Sequence, residues 1–185
     1  MAQNNAAFLL PHIKKTDRIL DFGYGPGTIT TGFAKYANEG TVVGINISSA
    51  ILKKAKTVAA EFEIPTEGPG FVVFEEGNSL ERLAYPDNTF NIVYCSQAFG
   101  YLPPPDLPLR ALTEIRRVLK PGGILATRDA AHQHFYPRSL DLDRLWVRNL
   151  GRVVSKGTGG DPTGTIMPAL SRRAGFGTYM TVAFG

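Results

Sequence analysis

The sequence predicts an α/β fold: a doubly wound, mostly parallel sheet with helices on both faces. Three observations lead there. Short strand-type apolar runs alternate with helix-length segments along the chain. Turn residues punctuate them, the 185 residues including 20 Gly and 13 Pro. The first strand also runs directly into a glycine loop and then a helix, in "ILDFGYGPGTIT" at residues 19–30.

Each element has its own signal. "RILDF" (18–22) reads as a short buried strand, and "TITTGFAKYA" (28–37) as the helix behind the loop. "GTVVGINIS" (40–48) is a second strand, rich in Val and Ile. "SAILKKAKTVAAEFEI" (49–64) is a helix that Ser48 or Ser49 can cap. Its Ile51, Leu52, Ala55, Val58, Ala59 and Phe62 share one face, and Pro65 ends it. "FVVFEEG" (71–77) is a third strand, "YPDNT" (85–89) a turn, and "FNIVYCSQA" (90–98) a fourth strand. "DLPLRALTEIRRVLKPGG" (106–123) has the acidic start and basic end of a helix, with a Pro-Gly-Gly stop. "GILATRDA" (123–130) is a fifth strand, and "RSLDLDRLWVRNLGRVV" (138–154) an amphipathic helix. "FGTYMTVAFG" (176–185) closes the series as a last strand.

In such a sheet, ligands sit at the carboxyl ends of the strands, where strand order reverses. Those ends are Gly23–Gly27, Asn46–Ser48, Gly77–Leu80, Ser96–Gly100 and Asp129–His132. Composition bounds what can happen there. With 43% hydrophobic and 19% charged residues the chain suits one globular domain over residues 1–185. No apolar run can cross a bilayer, and residues 1–15 lack a secretory signal, so a cytoplasmic protein is expected. Cys95 is the only cysteine, which fits a reducing compartment. Residues 1–100 carry 8 basic and 10 acidic side chains, residues 101–185 carry 12 and 6. No basic run has interleaved aromatics, so the basic half reads as a solvated surface and no nucleic-acid partner is expected. The stripe Arg144, Arg148 and Arg152 reads the same way.

The loop itself is informative by what it lacks. Glycines at 23, 25 and 27 let a ligand approach the main chain, and the helix behind offers free N–H groups. The dinucleotide pattern wants a glycine where Thr28 stands. No Gly-Lys-Ser or Gly-Lys-Thr of a phosphate loop occurs. The loop suits a ligand that needs close backbone but no diphosphate cradle.

On these residues the chain resembles the class I S-adenosylmethionine-dependent methyltransferases, in the small-molecule branch that includes ubiquinone/menaquinone and sterol C-methyltransferases. The resemblance is carried by "ILDFGYGPG" (19–27), "TVVGINIS" (41–48), "GNSLERLAYPDNTFNIVYCSQAFGYLP" (77–103) and "RALTEIRRVLKPGGIL" (110–125), and it covers about residues 15–130. It implies a Rossmann-like sheet, S-adenosylmethionine as cofactor and a small, lipophilic or aromatic acceptor, for which Phe99, Tyr101, Leu102 and Phe135 are suitable walls. It implies that Asp21 orients the glycine loop and the methionine amino end, and that Gly23, Gly25 and Gly27 line the cofactor. Asn46 and Ile47 fall at the ribose position, Asn78, Ser79 and Leu80 near the adenine, and Ser96 and Gln97 beside the methionine part and the methyl. Tyr24, where this branch often has Cys, and Tyr101 are read as pocket walls.

Three positions depart from the family pattern in one direction. Acids are usual where Asn46, Asn78 and Asn91 stand. Exchanging a charged acceptor for a neutral one at the ribose costs about 1 kcal/mol, near fivefold in affinity. The amides and the short C-terminal part therefore also allow a second reading, a catalytically impaired S-adenosylmethionine-binding or interaction domain. A nicotinamide oxidoreductase is disfavoured by the glycine spacing and the missing ribose acid. Methyl transfer needs alignment and exclusion of water, and a base only where the acceptor loses a proton. The candidates are His132 and His134, after the fifth strand, with Asp129 at its end. No metal is expected. His12 lies where relatives carry a lid, while Cys95 and Trp146 read as core. The family sheet has seven strands and this chain offers six, so the last strand of that sheet is expected to be missing. An unpaired edge left in this way would favour a homodimer.

Overall fold

The computed structural model describes residues 5–65, 67–78, 80–102, 106–129, 138–146 and 163–177. Five strands form one parallel sheet: β1 (Arg18–Phe22), β2 (Thr41–Asn46), β3 (Phe71–Glu76), β4 (Phe90–Ser96) and β5 (Leu119–Arg128). Their spatial order is β3-β2-β1-β4-β5, so the order reverses between β1 and β4. Helices α1 (Thr28–Ala34), α2 (Ser49–Glu61) and α3 (Asp106–Val118) make the crossovers, followed by α4 (Leu142–Trp146) and α5 (Thr163–Arg173).

The central strands are buried on both faces, which is why they read as continuous apolar runs. Alternation sorts their side chains into two cores. Ile19, Val42, Phe74, Ile92 and Tyr94 pack under α1 and α2 with Phe33 and Ala55. Leu20, Val43, Val93 and Cys95 pack against α3 and α5 through Leu112, Ile115 and Leu170. Each such aliphatic or aromatic side chain contributes about 1.5–3 kcal/mol of burial. Cys95 is a free, fully buried thiol, as its place in β4 suggested.

Several expectations are refined. Ser48 does cap α2, its Oγ accepting from the Ile51 N–H at 3.4 Å. Phe62, however, is exposed, because α2 ends at Glu61 before that side chain can turn inward. The helix predicted over 106–123 stops at Val118, and Leu119 already pairs with Phe90 as strand. Pro121 disfavours the helical conformation at Lys120, and Gly122 takes φ +74°, so the segment turns into β5 through an irregularity before Ile124 pairs with Ile92. Helix α5, which carries Pro168 inside it, has no counterpart in the sequence reading. Residues 178–185 of the predicted last strand and residues 147–154 of the helix predicted at 138–154 lie outside the described residues; within 138–146, Arg138–Leu140 forms a 3-10 turn and Leu142–Trp146 is α-helical.

Candidate functional site

The carboxyl ends of β1 and β4 meet at the reversal of strand order and line an open cleft of about 150 Å³. Asp21, Gly23, Tyr24, Gly25 and Pro26 form one wall, Ile29 of α1 a second, and Tyr94 and Ser96 of β4 the third. Pro26, Ile29 and Tyr94 were not singled out from the sequence. Their only signal was adjacency to the loop and period-2 spacing from Ser96.

Backbone conformation explains the glycines. Gly23, Gly25 and Gly27 all have positive φ, +74°, +53° and +82°. A Cβ at Gly27 would lie 2.9 Å from the Ala55 Cβ and 3.0 Å from the Phe74 ring, so this glycine lets α1 start flush against the core rather than lining the cleft. A Cβ at Gly23 would sit 3.2 Å from that of Ala98, so the two rims of the cleft touch there. The opposite rim is fixed by Gln97, a non-glycine residue at φ +57° whose N–H donates to the Arg128 carbonyl at 2.8 Å. Such a conformation costs of order 1 kcal/mol and concentrates at functional sites.

Asp21 is the chemical centre. It is 2% exposed and accepts one hydrogen bond from the Thr30 hydroxyl at 2.7 Å. Burial pushes its carboxyl up to about 7, partly offset by that bond. A carboxylate held this way gains most from a cationic partner entering the cleft. Tyr24 is buried against Phe74, ring centroids 4.9 Å apart, over Gly44, where a Cβ would lie 2.8 Å from the tyrosine ring. Its hydroxyl is buried without a hydrogen-bond partner among the described residues. Burial and the charges of Asp21 and Glu76 push it up to about 12, so it stays a donor.

The neighbouring strand ends complete the rim. Asn46 ends β2 and its side-chain oxygen accepts from the Ser48 N–H at 3.0 Å. Asn78 repeats the device, accepting from the Leu80 N–H at 3.0 Å, with its Nδ2 directed to Glu81 at 3.3 Å. Between them Ile47 is 68% exposed, an apolar side chain presented to the outside beside the cleft. Asn91, the third amide, is elsewhere: its oxygen accepts from the Arg18 N–H and the Lys120 ammonium at the amino end of the sheet. At the end of β5 both carboxylate oxygens of Asp129 are buried without a hydrogen-bond partner among the described residues. Burial raises it to about 6, and the nearby Gly100 and Phe99 N–H groups, which do not reach hydrogen-bonding geometry, offset part of that shift together with Arg128. Ser79, His132 and His134 lie outside the described residues. No cluster able to hold a metal occurs among the described residues.

The same segments carry the likeness to known proteins. The methyltransferase domain family matches residues 19–123, from the first residues of β1 into β5. The chain belongs to the methyltransferase domain family. Among its relatives is the probable methyltransferase ltbC of Aspergillus luteorubrus, 66% identical over 95% of this chain and 62% of that one. The ubiquinone/menaquinone biosynthesis C-methyltransferase UbiE of Neisseria gonorrhoeae is 38% identical over 62% of this chain and 43% of its own. A solved S-adenosylmethionine-dependent methyltransferase from Methanosarcina mazei superposes with a TM-score of 0.64 at 25% identity, covering 81% of this chain and 68% of that one. The chain thus spans less than two thirds of the two relatives matched by sequence. S-adenosylmethionine is the cofactor of this methyltransferase class, and the cleft's buried acid, bare backbone and apolar rim fit its ammonium, its sulfonium-bearing chain and its adenine.

Proposed function

We propose that the domain transfers the methyl group of S-adenosylmethionine to a small, lipophilic or aromatic acceptor. One observation carries this reading: a buried, titratable Asp21 opening onto the cleft at the reversal of strand order, beneath a loop of three positive-φ glycines. When bound, the cofactor supplies a methyl group already activated by its sulfonium.

The chain's own residues bind and align. Asp21, ionised, accepts from the methionine ammonium, and Thr30 holds its carboxylate in place. Gly23 and Gly25 leave the backbone bare against the methionine part, while Gly27 sets the start of α1. Ser96 and Gln97 form the wall beside the methyl. Ile47 covers an adenine face, with Asn78 and Leu80 at its edge. Where the acceptor must lose a proton, Asp129 is the described carboxylate best suited to take it, its buried oxygens having no partner. His132 and His134 remain candidates for that role on their place after β5. The kinship with a quinone C-methyltransferase supports an apolar acceptor, whereas Phe99, read from the sequence as a pocket wall, is instead fully buried in the core beside α3. A cytoplasmic setting is supported by the free thiol of Cys95. The outer edge of β5 pairs with no strand among the described residues, which supports a homodimer, and light scattering tests it.

Calorimetric titration with S-adenosylmethionine, S-adenosylhomocysteine and NAD tests the cofactor. Binding of both sulfur ligands and not of NAD is expected, and no heat with either would refute the reading. Binding without methyl transfer to any of a panel of quinols, sterols and phenols would instead favour the impaired-domain alternative.

A further inference from the structure

The ribose of an adenosine ligand presents two vicinal hydroxyls, and a carboxylate is their best acceptor. The β2 residue at that place, Asn46, is poorly equipped for it. It is neutral, and its one side-chain oxygen already closes a turn with the Ser48 N–H. What it still offers is an amide N–H₂, a donor.

A carboxylate stands beside it. Asn46 and Glu76 are register partners at the ends of parallel β2 and β3, strands that lie about 4.8 Å apart. The Gly77 N–H donates to the Asn46 carbonyl at 3.0 Å, so the pairing persists to the last residue and holds the two Cα atoms together. Alternation fixes the side. Gly44 and Phe74 both contact Tyr24, so Asn46 and Glu76, two residues on, project from the same face as the glycine loop. The two successive acids of β3 also differ in their commitments. Glu75 accepts from the Tyr85 hydroxyl on the other face. Glu76 is exposed and makes no hydrogen bond or ion pair among the described residues. Its charge is among those that raise the Tyr24 hydroxyl in the cleft wall.

We infer that Glu76 is the acceptor for the ribose hydroxyls, displaced by one strand from the β2 position. Asn46 contributes only its N–H₂, as a donor to a ribose oxygen. The acid missing from β2 is thus supplied from β3, and the amide at Asn46 avoids a second carboxylate next to Glu76, which like-charge repulsion would disfavour. This inference rests on the cofactor reading above.

The test is calorimetric titration of S-adenosylhomocysteine, and of its 2′-deoxy analogue, into wild type and four variants. Glu76→Gln, a surface change that keeps the fold, should weaken S-adenosylhomocysteine about tenfold but leave the deoxy analogue nearly unchanged. Glu75→Gln should leave both affinities alone. Asn46→Asp should weaken binding in the wild-type background and restore it when combined with Glu76→Gln. Failure of wild type to bind S-adenosylhomocysteine overturns the cofactor reading and the inference with it. Wild-type binding with unchanged affinity in Glu76→Gln, or tighter binding in Asn46→Asp alone, overturns the inference and leaves the cofactor reading standing.

Discussion

The two ends of the cleft are built on opposite electrostatic terms. At the proposed methionine end, Asp21 is an acid taken out of water, with one hydroxyl donor and a carboxyl raised to about 7. At the proposed nucleoside end, Asn46 and Asn78 are neutral, nearer to solvent, and turn their oxygens back on their own backbone. The first end holds an unfavourable charge that a ligand can relieve. The second is relaxed before any ligand arrives. The contrast locates most of the binding energy at Asp21, while at the nucleoside end Asn46 and Asn78 meet the ligand with their oxygens already committed and only the exposed Glu76 carboxylate open to accept.

The largest effect should come from removing the backbone that both ends share. Gly27→Ala forces an alanine to φ +82° and drives its Cβ against Ala55 and Phe74. A destabilisation of about 2–4 kcal/mol in urea unfolding is expected, with loss of S-adenosylhomocysteine binding. Stability unchanged within error would show that the loop is free to move.

Next in size is Arg117, which holds the segment carrying the nucleoside end onto α3. Its guanidinium pairs with Glu114 and Asp87 and donates to the Leu83 and Tyr85 carbonyls. Arg117→Ala leaves Glu114, only 14% exposed, without its partner and should cost about 3 kcal/mol in the same measurement. Its effect on binding should be felt with adenosine as much as with S-adenosylhomocysteine, because the methionine end is untouched.

Asp21→Asn sharpens the comparison directly. The substitution removes the buried charge, so the free protein should gain Tm above pH 7, while S-adenosylhomocysteine binding weakens about 10–100-fold. The sign for wild type follows. Its folded carboxyl keeps a proton up to about 7 that the unfolded chain releases near 3.8. Stability from this group is therefore greatest at low pH and falls as pH rises from about 4 to 7. Asp21→Asn should flatten that part of the pH–stability curve, and thermal melts between pH 4 and 8 check it.

The smallest effect is expected at Tyr24. Its buried hydroxyl has no partner among the described residues, so Tyr24→Phe should raise the stability of the free protein by about 1 kcal/mol. A loss of stability instead would reveal a hydrogen bond to that hydroxyl.

Much of this was legible in the sequence because it is local. Strands β1 to β4 showed themselves as apolar runs, Ser48 as a cap, and the glycine loop as the turn between a strand and a helix. The family likeness pointed to Asp21, which lines the cleft, and to Asn46 and Asn78, which end or follow β2 and β3 on its rim. What the sequence could not show depends on long-range packing or on the rotamer a polar side chain adopts. Tyr24 is read as a pocket wall, but only the fold reveals that Gly44 and Phe74 make room for its ring. An asparagine at position 46 leaves its oxygen open on paper, and the turn to Ser48 closes it. Helix α5 was missed, and it is Met167 and Leu170, buried against α3, that stabilise it. Asp129 is one acid among sixteen by composition, and only burial distinguishes it.

The central claim is that the ionised Asp21 anchors the cofactor, and the pH dependence of S-adenosylhomocysteine affinity tests it most directly. Calorimetry from pH 5.5 to 8.5 should show wild-type affinity rising with pH and levelling near 7, with proton release on binding below that point, and no such trend in Asp21→Asn. Identical, pH-independent affinities in wild type and Asp21→Asn would contradict it.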